Sequence, residues 1–248
     1  MRSARARRVG LLLVAGAMVL QGCKRTETPA DQLEQAVTQT VDQIEETPQP
    51  EGPYAPRDDC SQVAGASAFL AEVRSAVAAR DTEAFVALAA EDVKLDFGGG
   101  AGSEQLRTML ASDTAPLWGK LDQLMTLGCA SDGDALITVP WYFAQDISDD
   151  PYSAMIVTGT GVPVRVSPAA DAPVIAAISW DVVEKLDSDT EDSGFAHVRW
   201  NRSDVPAGQS KTVEGYIDET RLRSMIDYRL LAASRNGKWR IVSLVAGD

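Results

Sequence analysis

The sequence predicts an α+β protein: an N-terminal helical and mixed domain, then a small β-barrel, then a C-terminal β-hairpin. Three observations predict it. Apolar residues recur at helical spacing between residues 68 and 127. Short runs of Val, Ile and Tyr, divided by turn residues, fill 154–224. Asn236-Gly237 stands between two strand-like runs, the strongest short hairpin signal.

The chain opens with a basic zone, Arg2, Arg5, Arg7 and Arg8, followed by an apolar run from Val9 to Leu20. The run is too short for a bilayer, which needs about 20 residues, and reads as an export signal. Leu20-Gln21-Gly22-Cys23 closes it and resembles the lipobox of bacterial lipoproteins, with Gln21 a less usual residue at its position. The resemblance implies that residues 1–22 are a signal peptide removed before Cys23, and that Cys23 carries acyl chains. Each buried CH₂ of those chains contributes about 0.8 kcal/mol to membrane attachment. An ordinary secretory signal with an incidental cysteine is the alternative. Lys24 resembles the sorting class sent to the outer membrane, facing the periplasm. Loss of the four arginines takes the formal charge from −13 to −17. So acidic a protein does not seek nucleic acid or anionic lipid through bulk electrostatics.

Residues 23–59 read as a lipid-anchored flexible linker rich in Thr, Gln, Glu and Pro. Within it, Leu33, Val37, Val41 and Ile44 mark an amphipathic helix over Asp31 to Glu46, and Pro48, Pro50, Pro53 and Pro56 stiffen the approach to the first domain. Once Cys23 is acylated, Cys60 and Cys129 remain in an oxidising compartment. The even remainder reads as a disulfide, with two independent buried thiols as the alternative.

Residues 60–153 form the first domain. Phe69, Val73 and Val77 predict a helix over Ala68 to Ala79. A second starts at Thr82, whose hydroxyl is a candidate cap, and is marked by Phe85, Leu88 and Ala89. Val93 to Phe97 alternates as a strand. Gly98 to Gly102 comes next, and Ser103 is the candidate cap of a helix through Leu110. Trp118, Leu121, Leu124 and Met125 line a helix over Leu117 to Leu127, and Ala135 to Phe143 is a strand interrupted at Pro140. The order of elements resembles small cone-shaped domains of the nuclear-transport-factor-2-like kind.

Residues 154–224 carry more specific motifs. They are Val162-Pro163-Val164-Arg165, Ser167-Pro168 before Pro173-Val174-Ile175, Val182 to Leu186, Gly194 to Trp200, and Gly215-Tyr216-Ile217 with Leu222. From Met155 to Arg223 the chain resembles bacterial SH3 domains, which implies an SH3-like barrel. Two departures stand out. Phe195 replaces the family's usual Trp, and Trp180-Asp181 replaces the usual Gly of a turn. The loops Asp187 to Ser193 and Asn201 to Thr212 are long. Residues 225–248 form the hairpin, with Tyr228, Leu230, Trp239 and Ile241 on its buried face. From the first helix to Asp248 the chain is similar to uncharacterised SH3-containing proteins exported by bacteria, and no activity carries over from them.

The residues point away from several chemistries. His197 is the one histidine, on a strand's outer face, without a nucleophile elbow or orienting acid. Gly98 to Gly102 lacks the spacing and the Lys-Ser/Thr of a phosphate loop and reads as a turn or hinge. Asp146, Asp149 and Asp150, and likewise Asp187, Asp189, Glu191 and Asp192, lack calcium-loop spacing and read as solvated loops. No metal, cofactor or catalytic residue is expected. Trp180 and Tyr216 are the candidate ligand groove, because a barrel's turn and closing strand present side chains at its edge. The expected protein is a membrane-anchored, non-enzymatic envelope lipoprotein whose SH3-like module binds a peptide, peptidoglycan or an envelope protein. A cell-wall hydrolase using carboxylates of the first domain and a purely structural lipoprotein are the rivals.

Overall fold

The computed structural model describes residues 51–113, 116–133, 135–147, 149–187, 193–202, 205 and 210–247. The signal, Cys23, the helix expected over Asp31 to Glu46, and Asp189, Glu191 and Asp192 lie outside the described residues. Mixed α and β structure is observed, with four α-helices and two sheets among the described residues.

Helix α1 (Ala66–Ala79) buries Phe69, Leu70, Val73, Ala76 and Val77, the three-and-four spacing of one helical face. Arg80 ends it in the left-handed conformation, its N–H returning to Ala76 and Val77. Helix α2 (Thr82–Ala87) is capped by Asp81 and not by Thr82, the expected cap: the Asp81 carboxylate accepts from Ala84 N–H at 2.9 Å. A carboxylate one residue earlier reaches the free amide and suits the positive end of the helix, so Thr82 enters the first turn. Strand β1 (Ala89–Lys94) begins earlier than the alternation of Val93 to Phe97 indicated. Helix α3 (Ser103–Leu110) has Gly102 as its cap residue, without a side-chain bond from Ser103. Helix α4 (Leu117–Leu124) turns Leu117, Leu121 and Leu124 inward. Strands β2 (Ala130–Ser131) and β3 (Leu136–Val139) come next, and Pro140 ends β3, so that Trp141–Ala144 forms a 3₁₀ turn where strand was expected.

The hairpin of β11 (Arg229–Arg235) and β12 (Lys238–Val245) turns on Asn236 and Gly237 at φ 55° and 72°, the positive angles this two-residue turn requires. It lies at the centre of the first sheet, whose order is β1-β12-β11-β3-β2. β12 is parallel to β1, and β11 is antiparallel to β3. The helices cover this sheet. Leu230, Ala232, Ile241 and Leu244 join the helix residues in one core, each buried Leu or Ile contributing about 1.5–3 kcal/mol. Trp239 stacks on Phe69 at 6.1 Å between ring centres and donates its indole N–H to Ala64 O at 3.0 Å.

Between these two parts of the chain come β4 (Ala154–Val157), β5 (Val162–Arg165), β6 (Val174–Ile178), β7 (Val182–Lys185), β8 (Phe195–Asn201), β9 (Thr212–Asp218) and β10 (Leu222–Ser224). They form a seven-stranded sheet in the order β10-β4-β7-β8-β9-β5-β6. Val162, Val164, Val183, Ala196, Val198 and Ile217 fill its inner face by strict alternation. Gly215 is required on β9, because a Cβ there would press on Arg165 O and Val164 Cγ1 at 2.6 and 2.7 Å. The strands leave β10 and β6 as two edges, so the sheet of the region expected to form a small barrel is not closed. The corner at Ser179–Asp181 carries the chain from β6 to β7 without pairing them, so β6 bonds only to β5.

A third apolar cluster, with Leu127, Trp141, Tyr142 and Ile156 at its centre, joins the two sheets. Arg223 of β10 is buried there and donates to Tyr142 Oη at 2.8 Å and Tyr228 O at 2.6 Å. Cys60 and Cys129 face each other with Cα atoms 5.8 Å apart, in disulfide geometry.

Candidate functional site

A cleft of about 670 Å³ opens where α4 faces the β10 edge of the seven-stranded sheet. Its size falls in the range of small-ligand sites. One wall is helical. Lys120 and Gln123 are three residues apart, which puts them on one face of α4, and Leu117, Leu121 and Leu124 anchor the opposite face. The other wall is β10, with Leu222, Arg223 and Ser224. Met155, Leu127 and Trp180 supply apolar surface.

Trp180 is in an unusual state. Its φ is 44°, in the left-handed region that glycine favours. A bulky side chain there costs about 1–2 kcal/mol, and such positions gather at functional sites. The neighbours impose it: Trp180 N–H donates to Gly159 O at 3.0 Å, and its C=O accepts from Tyr54 N–H at 2.9 Å. The same approach of the 51–55 segment explains Gly52, since a Cβ there would run into the Ser179 carbonyl.

The charges of the cleft converge on Asp227. Its Oδ2 accepts from Lys120 Nζ and from the Arg223 guanidinium, both at 3.0 Å, and its Oδ1 from Tyr228 N–H at 2.7 Å. The side chains of Arg223 and Asp227 are 5% and 14% exposed, that of Lys120 48%. Arg223 and Asp227 are therefore fixed structure, whereas Lys120 reaches solvent. Burial pushes the Tyr142 phenol above its ordinary value, and the Arg223 guanidinium partly opposes this. Glu219, the other carboxylate of the cleft, meets Lys185 at 3.3 Å. Both carboxylates of the cleft thus have a cationic partner.

Carboxylates gather elsewhere, in a hollow of about 200 Å³ lined by Asp149, Asp181 and Glu184 beside Tyr54. Burial raises the Asp181 carboxyl above its usual range; bonds from the Trp200 indole and from Val182 N–H, each 2.8 Å, pull it back. Glu184 pairs with Arg199 at 2.9 Å.

Of the two residues expected to form the groove, Trp180 lines the cleft and Tyr216 does not. Tyr216 lies on β9 opposite His197 of β8, their rings stacked at 4.8 Å and 18°. Asp150 organises a turn by accepting from Tyr152 N–H at 3.1 Å. At the glycine run the Asp96 carboxylate accepts from Gly100 N–H at 2.7 Å, and these amides hold it below its usual range, so a side-chain anion already fills the place a phosphate would take. Among the described residues no group of three or more His, Cys, Asp or Glu side chains is placed to hold a metal ion. No described helix is long and apolar enough to cross a membrane. The Lys120–Asp227–Arg223 node was missed in the sequence, because its partners are 107 residues apart and only the Arg223/Asp227 spacing of four is local. No protein-family model matches this chain, and no curated protein shows significant similarity to it.

Proposed function

We propose that this is a lipid-anchored, non-enzymatic protein of the bacterial envelope whose SH3-like module and helical domain together bind a peptide, peptidoglycan or protein partner. The carrying observation is the cleft between α4 and β10, walled by both halves of the chain and strained at Trp180. The SH3-like reading draws support from the run β5 to β9, followed by a 3₁₀ turn at Glu219–Arg221 and the short β10. The anchor reading rests on Leu20 to Cys23. Cys23→Ser moves the protein from the membrane to the soluble envelope fraction, and a variant that still sediments with membranes at high salt overturns the anchor. Co-sedimentation with purified murein sacculi and capture of envelope proteins test the binding. Gln123→Trp fills the cleft from its exposed wall without touching the core, and abolishes binding. Retained binding by that variant removes the cleft from the reading.

The hydrolase reading has one observation in its favour, the Asp149, Asp181 and Glu184 hollow, which lies against the seven-stranded sheet and not in the helical domain. Turnover of labelled murein that is lost in Asp181→Asn supports it.

A further inference from the structure

The alternation of hydrogen bonds along β10 defines what its free side offers. β10 pairs with β4 so that Leu222, Arg223 and Ser224 face Val157, Ile156 and Met155. The flanking bonds Thr158 N–H to Arg221 O and Met225 N–H to Ala154 O fix the phase: residues 221, 223 and 225 bond inward to β4. Leu222 and Ser224 therefore aim their main-chain groups away from β4, and both residues line the cleft. Two of those four groups are satisfied locally. Leu222 N–H donates to Glu219 O, and Ser224 O accepts from Asp227 N–H. The remaining pair, Leu222 C=O and Ser224 N–H, has no partner among the described residues. One acceptor and one donor, two residues apart, match the N–H and C=O of an added strand.

Charge says which part of a strand fits. Of the charged residues lining the cleft, Lys120 and Arg223 meet one carboxylate, Asp227, and Glu219 is met by Lys185 from outside the lining. The Lys120–Asp227–Arg223 node thus carries one positive charge in excess, complementary to a single ligand anion. Asp227 keeps Arg223 and the Tyr228 amide if Lys120 turns away, so Lys120 is free to change partner.

We infer that the cleft binds the free C-terminal end of an extended peptide, its main chain bonded to Leu222 and Ser224 of β10 and its carboxylate held by Lys120 in front of the buried Arg223. The inference rests on the binding reading above and narrows its ligand. Apolar side chains of the peptide lie against Met155, Leu127 and Trp180.

The test uses the full chain in detergent and fluorescence anisotropy with labelled Ala-Val-Leu-Ala. Three forms are compared: the free acid, the C-terminal amide, and the acid with its last peptide nitrogen methylated. The free acid binds, and the other two bind about tenfold more weakly or worse, the scale of a lost charge-assisted or main-chain bond. Lys120→Ala lowers the affinity of the acid to that of the amide and leaves the amide unchanged. Lys120→Gln, which keeps the stem, behaves alike and guards against a folding artefact. Equal binding of acid and amide, an equal loss of both in the Lys120 variants, or no binding of any form overturns the inference. If the peptides fail while Gln123→Trp still abolishes binding to sacculi, the binding reading stands and only the carboxyl-end assignment falls.

Discussion

The two sheets solve the same problem in opposite ways. The seven-stranded sheet comes from one continuous stretch, β4 to β10, and most of its strands pair with a close neighbour in the chain. Its inner core rests on eight buried residues, all Val, Ile or Ala. The five-stranded sheet is assembled from both ends of the described chain. β1 lies beside β12, and their partners Ala89 and Ile241 are joined only through the whole second sheet. Its core is far larger and draws on every helix. Local pairing thus suffices for a small core with simple alternation, whereas the distant pairing is held by bulk burial of Leu, Ile and aromatic side chains.

The most severe way to break this contrast is to remove the hairpin. Deleting residues 229–248 takes the two central strands from the first sheet, and the loss exceeds the about 5–15 kcal/mol of stability that a typical domain has. Circular dichroism and limited proteolysis should find the helical region unfolded, and native-like protease resistance there would refute the central placing. The fragment 154–248 consequently exposes Leu230, Trp239 and Ile241, so 154–224 is the better unit for isolating the second sheet.

Next in size is the sulfur pair. Replacing Cys60 and Cys129 by Ser is expected to cost about 4 kcal/mol, from the entropy of a 69-residue loop, and it acts on the first region alone. Denaturant unfolding reads the loss. Alkylation of both thiols in the purified, unreduced protein would mean that no bond forms.

Arg223→Met sharpens the comparison by loosening the joint between the regions. It removes the bonds to Tyr142, Asp227 and Tyr228 O, and breaking a buried ion pair is expected to cost about 3 kcal/mol. Calorimetry should show one transition splitting into two, and an unsplit transition would show that the apolar cluster alone couples the sheets.

The smallest effect is the pH response of Asp181. Burial raises its folded value, so on raising pH the unfolded chain loses this proton first. The contribution to stability is full below the ordinary aspartate value and is lost as pH rises through the folded value. Acidification from neutrality therefore favours the native state at this position. Asp218, held low by its bonds to Thr220, has the opposite sign. The Tm of Asp181→Asn relative to the parent should be higher at pH 7 than at mildly acid pH, and a constant difference would contradict the burial argument.

Much of the fold was legible where two or three adjacent residues determine the backbone. Asn236-Gly237 fixed its turn through φ alone, and Val162 to Arg165 declared its inner face by alternation. β1 was poorly legible because Ala89-Ala90-Glu91 suits a helix equally well, and its parallel partner Ile241 is remote. Trp180 was legible as an oddity in a turn, and the structure places it in the cleft. Tyr216 resembled it in chemistry, but strand phase set it on the other face against His197. The charged node could not be read, since α4, β10 and the turn before β11 meet only after both sheets have formed.

The central position of β11 and β12 also has a consequence in time. During synthesis β1 and β3 emerge early and stand without the two strands that belong between them. The first core cannot close until the last residues arrive, and long-range parallel pairing is slow even then. Under the export proposed above, this topology keeps the chain threadable until its last residues arrive. A chain cut short near its end exposes its largest apolar surface to proteases.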